Sequence, residues 1–199
     1  MYLYVVRHGE TQANAEGRYL GALDTGLTAC GINQVEALKS RLPAHIDAVV
    51  VSPLRRAQQT AQIIFDNSSL SLRAMHAFRE RHVGVFEGLT QTEARARYPE
   101  LWSQNITRQW NLAPTGGESI AAVFIRVQRG LCDLLADYPQ QVVVLVAHGF
   151  IAKTIRALVR RDFSDFFDWQ LENGAVLSLQ LTDNFGIDYD VRALLAVRF

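Results

Sequence analysis

The chain has 199 residues, 49% hydrophobic and 20% charged, an ordinary globular composition that excludes disorder, collagen and coiled coil. Twenty Lys and Arg balance twenty Asp and Glu, so neither nucleic acid nor an anionic membrane is an expected partner. Two cysteines make no disulfide framework, no cationic and apolar leader opens the sequence, and the longest apolar run, Val142 to Ala147, is too short to span a bilayer; a soluble cytoplasmic protein with reduced thiols is expected. Tyr2-Leu3-Tyr4-Val5-Val6 begins the chain as an apolar, β-branched run, and Ala48-Val49-Val50-Val51 and Val142-Val143-Val144-Leu145-Val146-Ala147 repeat it. These runs are continuous rather than alternating, which predicts strands buried on both faces, as in a parallel sheet covered by helices. Weaker strand signals lie at Leu70 to Ala74, Ala175 to Leu181 and Tyr189 to Leu195.

Helical spacing separates the strands. Ile32, Val35, Leu38 and Leu42 share a face behind Thr28 as N-cap. Leu54, Ala57, Ala61, Ile64 and Phe65 mark a second helix, with Ser52 as its cap and Pro53 at the first helical position. Ile120, Val123, Phe124, Val127, Leu131, Leu134 and Leu135 form a long stripe after Gly116-Gly117 and before Pro139, and Ile151, Ile155, Leu158 and Val159 form the last. This alternation predicts one domain over 1–199, a three-layer α/β/α sandwich on a mostly parallel sheet. Residues 85–117 hold Trp102, Trp110, Pro99 and Pro114 without strong periodicity and read as a partly helical lid or specificity excursion over one end of the sheet.

Each strong strand runs into charged or imidazole groups: Arg7-His8-Gly9-Glu10-Thr11 after the first, Ser52-Pro53-Leu54-Arg55-Arg56 after the second, His148-Gly149-Phe150 after the third. Ligands of open α/β sheets bind outside the carboxyl ends of the strands, so parallel neighbours would bring these residues together. A single histidine after a strand is more often structural, and a single arginine at a helix start is usually solvated. Arg55 in a first turn even opposes the helix dipole. Three strands delivering such groups to one edge is a different matter. Without clustered Asp, Glu or Cys they make a poor zinc site, and the arginines favour an anion, above all phosphate. Eighteen of the twenty cations are Arg, the better fork for phosphate; only Lys39 and Lys153 are Lys.

Arg7-His8-Gly9-Glu10-Thr11 with Asn14 and Leu27-Thr28-x-x-Gly31 resembles the first motif of the histidine phosphatase superfamily, also called phosphoglycerate mutase-like. Ser52-Pro53-Leu54-Arg55-Arg56-Ala57-x-x-Thr60-Ala61, Phe78-Arg79-Glu80 with Gly84 and Glu87-Gly88-Leu89-Thr90, Pro114-x-Gly116-Gly117-Glu118-Ser119 and Val146-Ala147-His148-Gly149 resemble the others, in the family's order. The resemblance implies that His8 is the nucleophile and becomes phosphohistidine. It implies that Arg7, Arg55 and His148 clamp the phosphoryl group, with Asn14, Gly21 and the Gly149 backbone at the substrate. Glu80 becomes the acid to the leaving oxygen and then the base toward water, a role that sequence alone leaves equally open to Glu87, Glu93 and Glu118.

The family holds phosphatases and phosphoglycerate mutases. Glu80-Arg81-His82-x-Gly84 resembles the mutase form; the short spacing between Gly88 and Glu118 and Leu20 before Gly21 favour a phosphatase. The pattern is similar to the branch of α-ribazole and broad-specificity phosphatases. The expectation is a metal-independent phosphatase of small phosphomonoesters, α-ribazole 5′-phosphate among the candidates, needing no cofactor; 2,3-bisphosphoglycerate enters only with a mutase. A phosphoglycerate mutase and a non-catalytic phosphate-binding module are the alternatives. The expected partner is a small phosphorylated metabolite, with a homodimer left open.

Overall fold

A computed structural model describes residues 1–182 and 184–186. Five strands, β1 (Tyr2–Arg7), β2 (Ala48–Val51), β3 (Leu72–Ala74), β4 (Val142–Ala147) and β5 (Val176–Gln180), form one sheet in the order β3-β2-β4-β1-β5. β4 lies parallel to β1 and β2, β2 lies parallel to β3, and only β5 is antiparallel, along β1. The three strong runs are therefore adjacent and share one direction. The weak signals shrink to β3 and β5, while Tyr189 to Leu195 lies outside the described residues.

The continuous apolar runs reflect cover on both faces. Val6, Val51, Val144 and Val146 pack under α2 (Ala29–Leu38) and α3 (Arg55–Ile64), through Val35, Leu38, Ala57, Ala61 and Ile64. Leu3, Val5, Val50, Val143, Leu145 and Ala147 face α6 (Ile120–Asp137) and α7 (Gly149–Arg160) on the other side, through Val127, Leu131, Ile151 and Ile155. Successive strand residues alternate between the two cores, as the pleat requires. The result is the expected α/β/α sandwich.

Thr28 caps α2, its side chain accepting from the Gly31 N–H at 3.0 Å, and Ser119 caps α6 in the same way. Leu42 falls beyond α2, past a 3₁₀ turn at Lys39–Arg41. The start of α3 differs from expectation. Leu54 occupies the N-cap position without a side-chain bond, and Ser52, two residues earlier, turns its hydroxyl to His148 instead. A four-residue helix, α1 (Gln12–Ala15), gave no periodic signal; the reciprocal bonds of Thr11 and Asn14 close it.

Residues 85–117 carry α4 (Gln91–Arg97) and α5 (Pro99–Ser103) around a small core of Phe86, Leu89, Ala94 and Ile106. Trp110 leaves that segment and packs in the main core against Phe124, Phe163 and Phe166. Among the described residues no helix is long and apolar enough to cross a membrane, and Cys30 and Cys132 are free thiols.

Candidate active site

The carboxyl ends of β1 and β4, joined by the loop after β2, bound a cavity of about 440 Å³ lined by Arg7, His8, Asn14, Gly21, Arg56, Glu80 and Gly149, among others. His8 lies at its floor, 2% exposed. Its Nδ1 is 2.7 Å from the Gly9 carbonyl oxygen. A carbonyl only accepts, so Nδ1 carries the proton and Nε2 keeps the lone pair. Nε2 in turn accepts from the Arg56 Nε–H at 3.2 Å. Burial, then Arg56, holds the His8 pKa well below its usual value, against the opposing pull of the Gly9 bond. The imidazole is thus neutral near pH 7, with its nucleophilic nitrogen against a guanidinium.

Arg56 is fully buried and held from three nitrogens: besides the Nε bond to His8, Nη1 donates to the Leu23 carbonyl at 2.6 Å and Nη2 to the Gly21 carbonyl at 2.8 Å, which leaves one N–H on each terminal nitrogen for a ligand. Desolvation lowers its pKa to about 10, which leaves it cationic at neutral pH. Gly21 provides that acceptor from a backbone at φ 50°, and a Cβ there would run into Glu87 Oε1. Gly21 therefore both lines the cavity and holds Arg56.

Arg55 corrects the sequence-based expectation. It is exposed and does not line the cavity; its backbone N–H donates to Asp24 Oδ1 at 2.5 Å. Neighbours on a helix point about 100° apart, so only one of the two arginines can face His8. The register of α3 chooses Arg56, which shares a row with Thr60 one turn on, and Thr60 Oγ1 accepts from the Gly9 N–H at 3.2 Å. The apolar stripe of Leu54, Ala57, Ala61, Ile64 and Phe65 has Arg55 beside one edge and Arg56 beside the other, so the sequence pattern does not choose between them.

Arg7 donates from Nη1 to the Leu171 carbonyl at 2.6 Å, and its buried Nε has no protein partner. His148 is fully buried, its ring edge-on to His8 with centroids 5.1 Å apart. Its Nε2 lies 2.6 Å from Ser52 Oγ, and that hydroxyl accepts from the Leu54 N–H at 3.4 Å. With the serine hydroxyl as donor to Nε2, the ring proton sits on Nδ1, which is buried with no protein partner. Burial, then Arg56 and His8, also holds the His148 pKa well below its usual value. Two donors without protein acceptors, one on Arg7 and one on His148, suit an oxyanion.

Glu80 is brought to the same cavity from the loop before α4. Oε1 accepts from the Arg81 N–H at 2.8 Å and Oε2 from the Phe150 N–H at 3.2 Å, so the first turn of α7 holds the carboxylate. Glu87 and Glu93 bind backbone or Arg18 instead, and Glu118 pairs with Arg126 at 2.9 Å. Asn14 lines the cavity, and its Oδ1 takes bonds from the Thr11 N–H and from Asn173 Nδ2, leaving its amide as a donor. Asn173, which also donates to the His8 carbonyl at 3.0 Å, lies in a segment with no periodic signal and was missed from sequence. Gly149 begins α7 behind His148; any Cβ there would press on Gln170 and on Arg7. Among the described residues no group of three His, Cys, Asp or Glu is disposed to hold a metal.

One cavity thus brings together a neutral imidazole, two arginines and a carboxylate, a set that suits an anionic ligand. Comparison with known proteins agrees. A model described as the histidine phosphatase superfamily (branch 1) matches residues 3–187. The adenosylcobalamin/alpha-ribazole phosphatase of Salmonella typhimurium is 29% identical over 187 residues, covering 93% of each chain. Phosphoserine phosphatase 1 of Hydrogenobacter thermophilus is 31% identical over 175 residues, covering 87% of this chain and 83% of its own. The crystal structure of the alpha-ribazole phosphatase from Shigella flexneri superposes with a TM-score of 0.82 at 28% identity, covering 93% of each chain.

Proposed function

The chain belongs to branch 1 of the histidine phosphatase superfamily, and we propose that, like the relatives named as phosphatases, it hydrolyses small phosphoesters, through phosphohistidine at His8. The observation that carries this reading is the pairing of a neutral His8, protonated at Nδ1, with Arg56 at Nε2. In the first step Arg56 gives up its bond to Nε2 for a phosphoryl oxygen, the freed Nε2 lone pair attacks phosphorus, and the ester P–O bond breaks. Glu80, as the carboxylic acid, passes its proton to the leaving oxygen, and the alcohol departs. In the second step Glu80, now the carboxylate, takes a proton from water as the water oxygen attacks phosphorus. The P–N bond breaks, His8 recovers its lone pair and inorganic phosphate is released.

Arg7 and Arg56 would neutralise the equatorial oxygens, and His148 and the Gly149 backbone would donate hydrogen bonds to them. Phosphoryl transfer needs chiefly such positioning and charge stabilisation, which supports a reaction without metal or organic cofactor. A hydrolase rather than a mutase is favoured by the short segment between Gly88 and Glu118 and by relatives named as phosphatases. α-Ribazole 5′-phosphate stands among the candidate esters, and a cytoplasmic setting agrees with two free thiols.

The test is alkaline detergent quenching of turnover of a labelled ester in the presence of EDTA. The native protein should accumulate acid-labile, base-stable phosphate and keep turning over; His8→Ala should trap none. Labelled phosphate on another residue of the variant, or abolition by EDTA with rescue by a divalent ion, would overturn the reading.

A further inference from the structure

Glu80 moves the proton in both steps, yet it stands on irregular chain. Residues 79–83 lie between 3₁₀ turns at His76–Phe78 and Gly84–Phe86 and belong to no helix or strand. One carboxylate oxygen of Glu80 is held by the N–H of the next residue, Arg81, and the other by Phe150. A bond to the adjacent residue travels with the segment, so the place of the carboxyl group depends on what fixes the backbone of 77–82.

The start of α6 supplies that support. Arg126 Nη1 donates to the Ala77 carbonyl at 2.8 Å and Nη2 to the Glu80 carbonyl at 3.4 Å. The guanidinium is itself fixed by a two-point pair with Glu118, Nε to Oε1 at 2.9 Å and Nη2 to Oε2 at 3.0 Å. Glu118 also grips the segment directly: Oε2 accepts from the His82 N–H at 3.0 Å, and its own N–H donates to the His82 carbonyl at 2.8 Å. One turn beyond Arg126, on the same face of α6, Gly130 leaves room that a side chain would take; a Cβ there would come within 2.6 Å of Ala77 Cβ. Phe78, beside it, is fully buried in the main core. Arg126 and Glu118 are largely buried, and neither lines the cavity over His8. Their contact with the chemistry runs through the backbone on either side of Glu80.

We propose that Arg126, locked by Glu118, is a positioning residue for proton transfer: from α6 it holds the backbone that aims the Glu80 carboxyl group at the leaving oxygen and, in the second step, at water. The inference rests on the phosphatase reading of His8 and Glu80 and deepens it. A guanidinium suits the task because its planar fork meets a carboxylate and two carbonyls from fixed directions, whereas lysine offers a point charge. Arg7, Arg56 and His148 stand on β1, on α3 and before α7, so the grip on the phosphoryl group does not depend on Arg126. Displacing a reacting group by about 1 Å can cost on the order of 100-fold in rate. Loss of Arg126 should therefore reach the steps that need a proton and spare the one that does not.

The test is single-turnover release of the alcohol from glycerol 1-phosphate and from p-nitrophenyl phosphate. Arg126→Gln should slow the alkyl ester by roughly 10- to 100-fold and leave the nitrophenyl ester within about threefold, with vanadate affinity unchanged. Arg126→Lys keeps a cation opposite Glu118 and should recover part of the alkyl rate; it reads the same ratio should Arg126→Gln not fold. Gly130→Ala, which presses Ala77 away from α6 and leaves Arg126 in place, should show the same selective loss. In a Glu80→Gln background Arg126→Gln should cost nothing further, because its effect passes through Glu80. Equal losses with both esters, or a full additional loss on top of Glu80→Gln, would overturn the positioning role. Failure of the underlying reading looks different: the native protein would hydrolyse neither ester, or Glu80→Gln itself would not distinguish them.

Discussion

At the scale of single residues, His8 shows how environment divides the two nitrogens of one ring. The Gly9 carbonyl claims the proton on Nδ1, and Arg56 meets the lone pair on Nε2. Arg56→Lys should cost roughly 2–4 kcal/mol of transition-state stabilisation, about 30- to 1,000-fold in the phosphorylation step, because a point charge replaces a planar fork. Arg55→Lys, on the solvent side of the same helix, should stay within about threefold, an ordinary exposed substitution. Single-turnover rates decide between the two; equal losses would undo the placement of Arg56. Glu80→Gln should discriminate by leaving group. A nitrophenolate departs without a proton and an alkoxide does not, so the first step should slow far more with an alkyl phosphate than with p-nitrophenyl phosphate. The same factor with both esters would remove Glu80 from the acid role.

At the scale of elements, helix ends and strand ends do the positioning. α7 holds Glu80 through the Phe150 N–H, and α3 holds Gly9 through Thr60. α2 is tied down at its start by Thr28, whose hydroxyl also donates to Glu10 Oε1 at 2.8 Å. Thr28→Ala should lower stability by about 1 kcal/mol, the usual worth of a helix N-cap, read as a fall in the urea midpoint at constant slope. No change in that midpoint would mean that the cap adds nothing beyond the packing of Val35 and Leu38.

At the scale of the whole molecule, the site is held together against its own charge. His8 and His148 are both buried beside arginines, and both have folded pKa values well below the ordinary 6.5. Between the folded value and 6.5 the unfolded chain binds more protons than the folded one, so stability rises with pH across that window. It should be complete above about pH 6.5 and decline below, by up to about 1.4 kcal/mol per pH unit for each histidine. Glu118, held below its usual 4.5 chiefly by Arg126 in opposition to burial, adds its own loss only at more acid pH. Urea midpoints between pH 7.5 and 5.5 measure the effect, and His148→Gln should flatten the slope; a midpoint unchanged over that range would show that the histidines titrate normally.

The buried parallel strands, the helices between them and the edge where Arg7, His8 and His148 meet were legible in local pattern. Continuous β-branched runs have few other homes, and residues directly after parallel neighbours must converge. Glu80 was legible only through the order of motifs, since its carboxylate competes on equal terms with Glu87, Glu93 and Glu118 until the fold is known. Tertiary structure alone decided which of two adjacent arginines reaches the nucleophile, because that depends on the rotation of α3 against the sheet. It also turned Ser52 from a helix cap into the partner of His148, and it set Arg126 and Glu118 against the loop that carries Glu80, with which they share no sequence period. Local pattern records which face of an element is buried; the partner across that face is set by packing between distant parts of the chain.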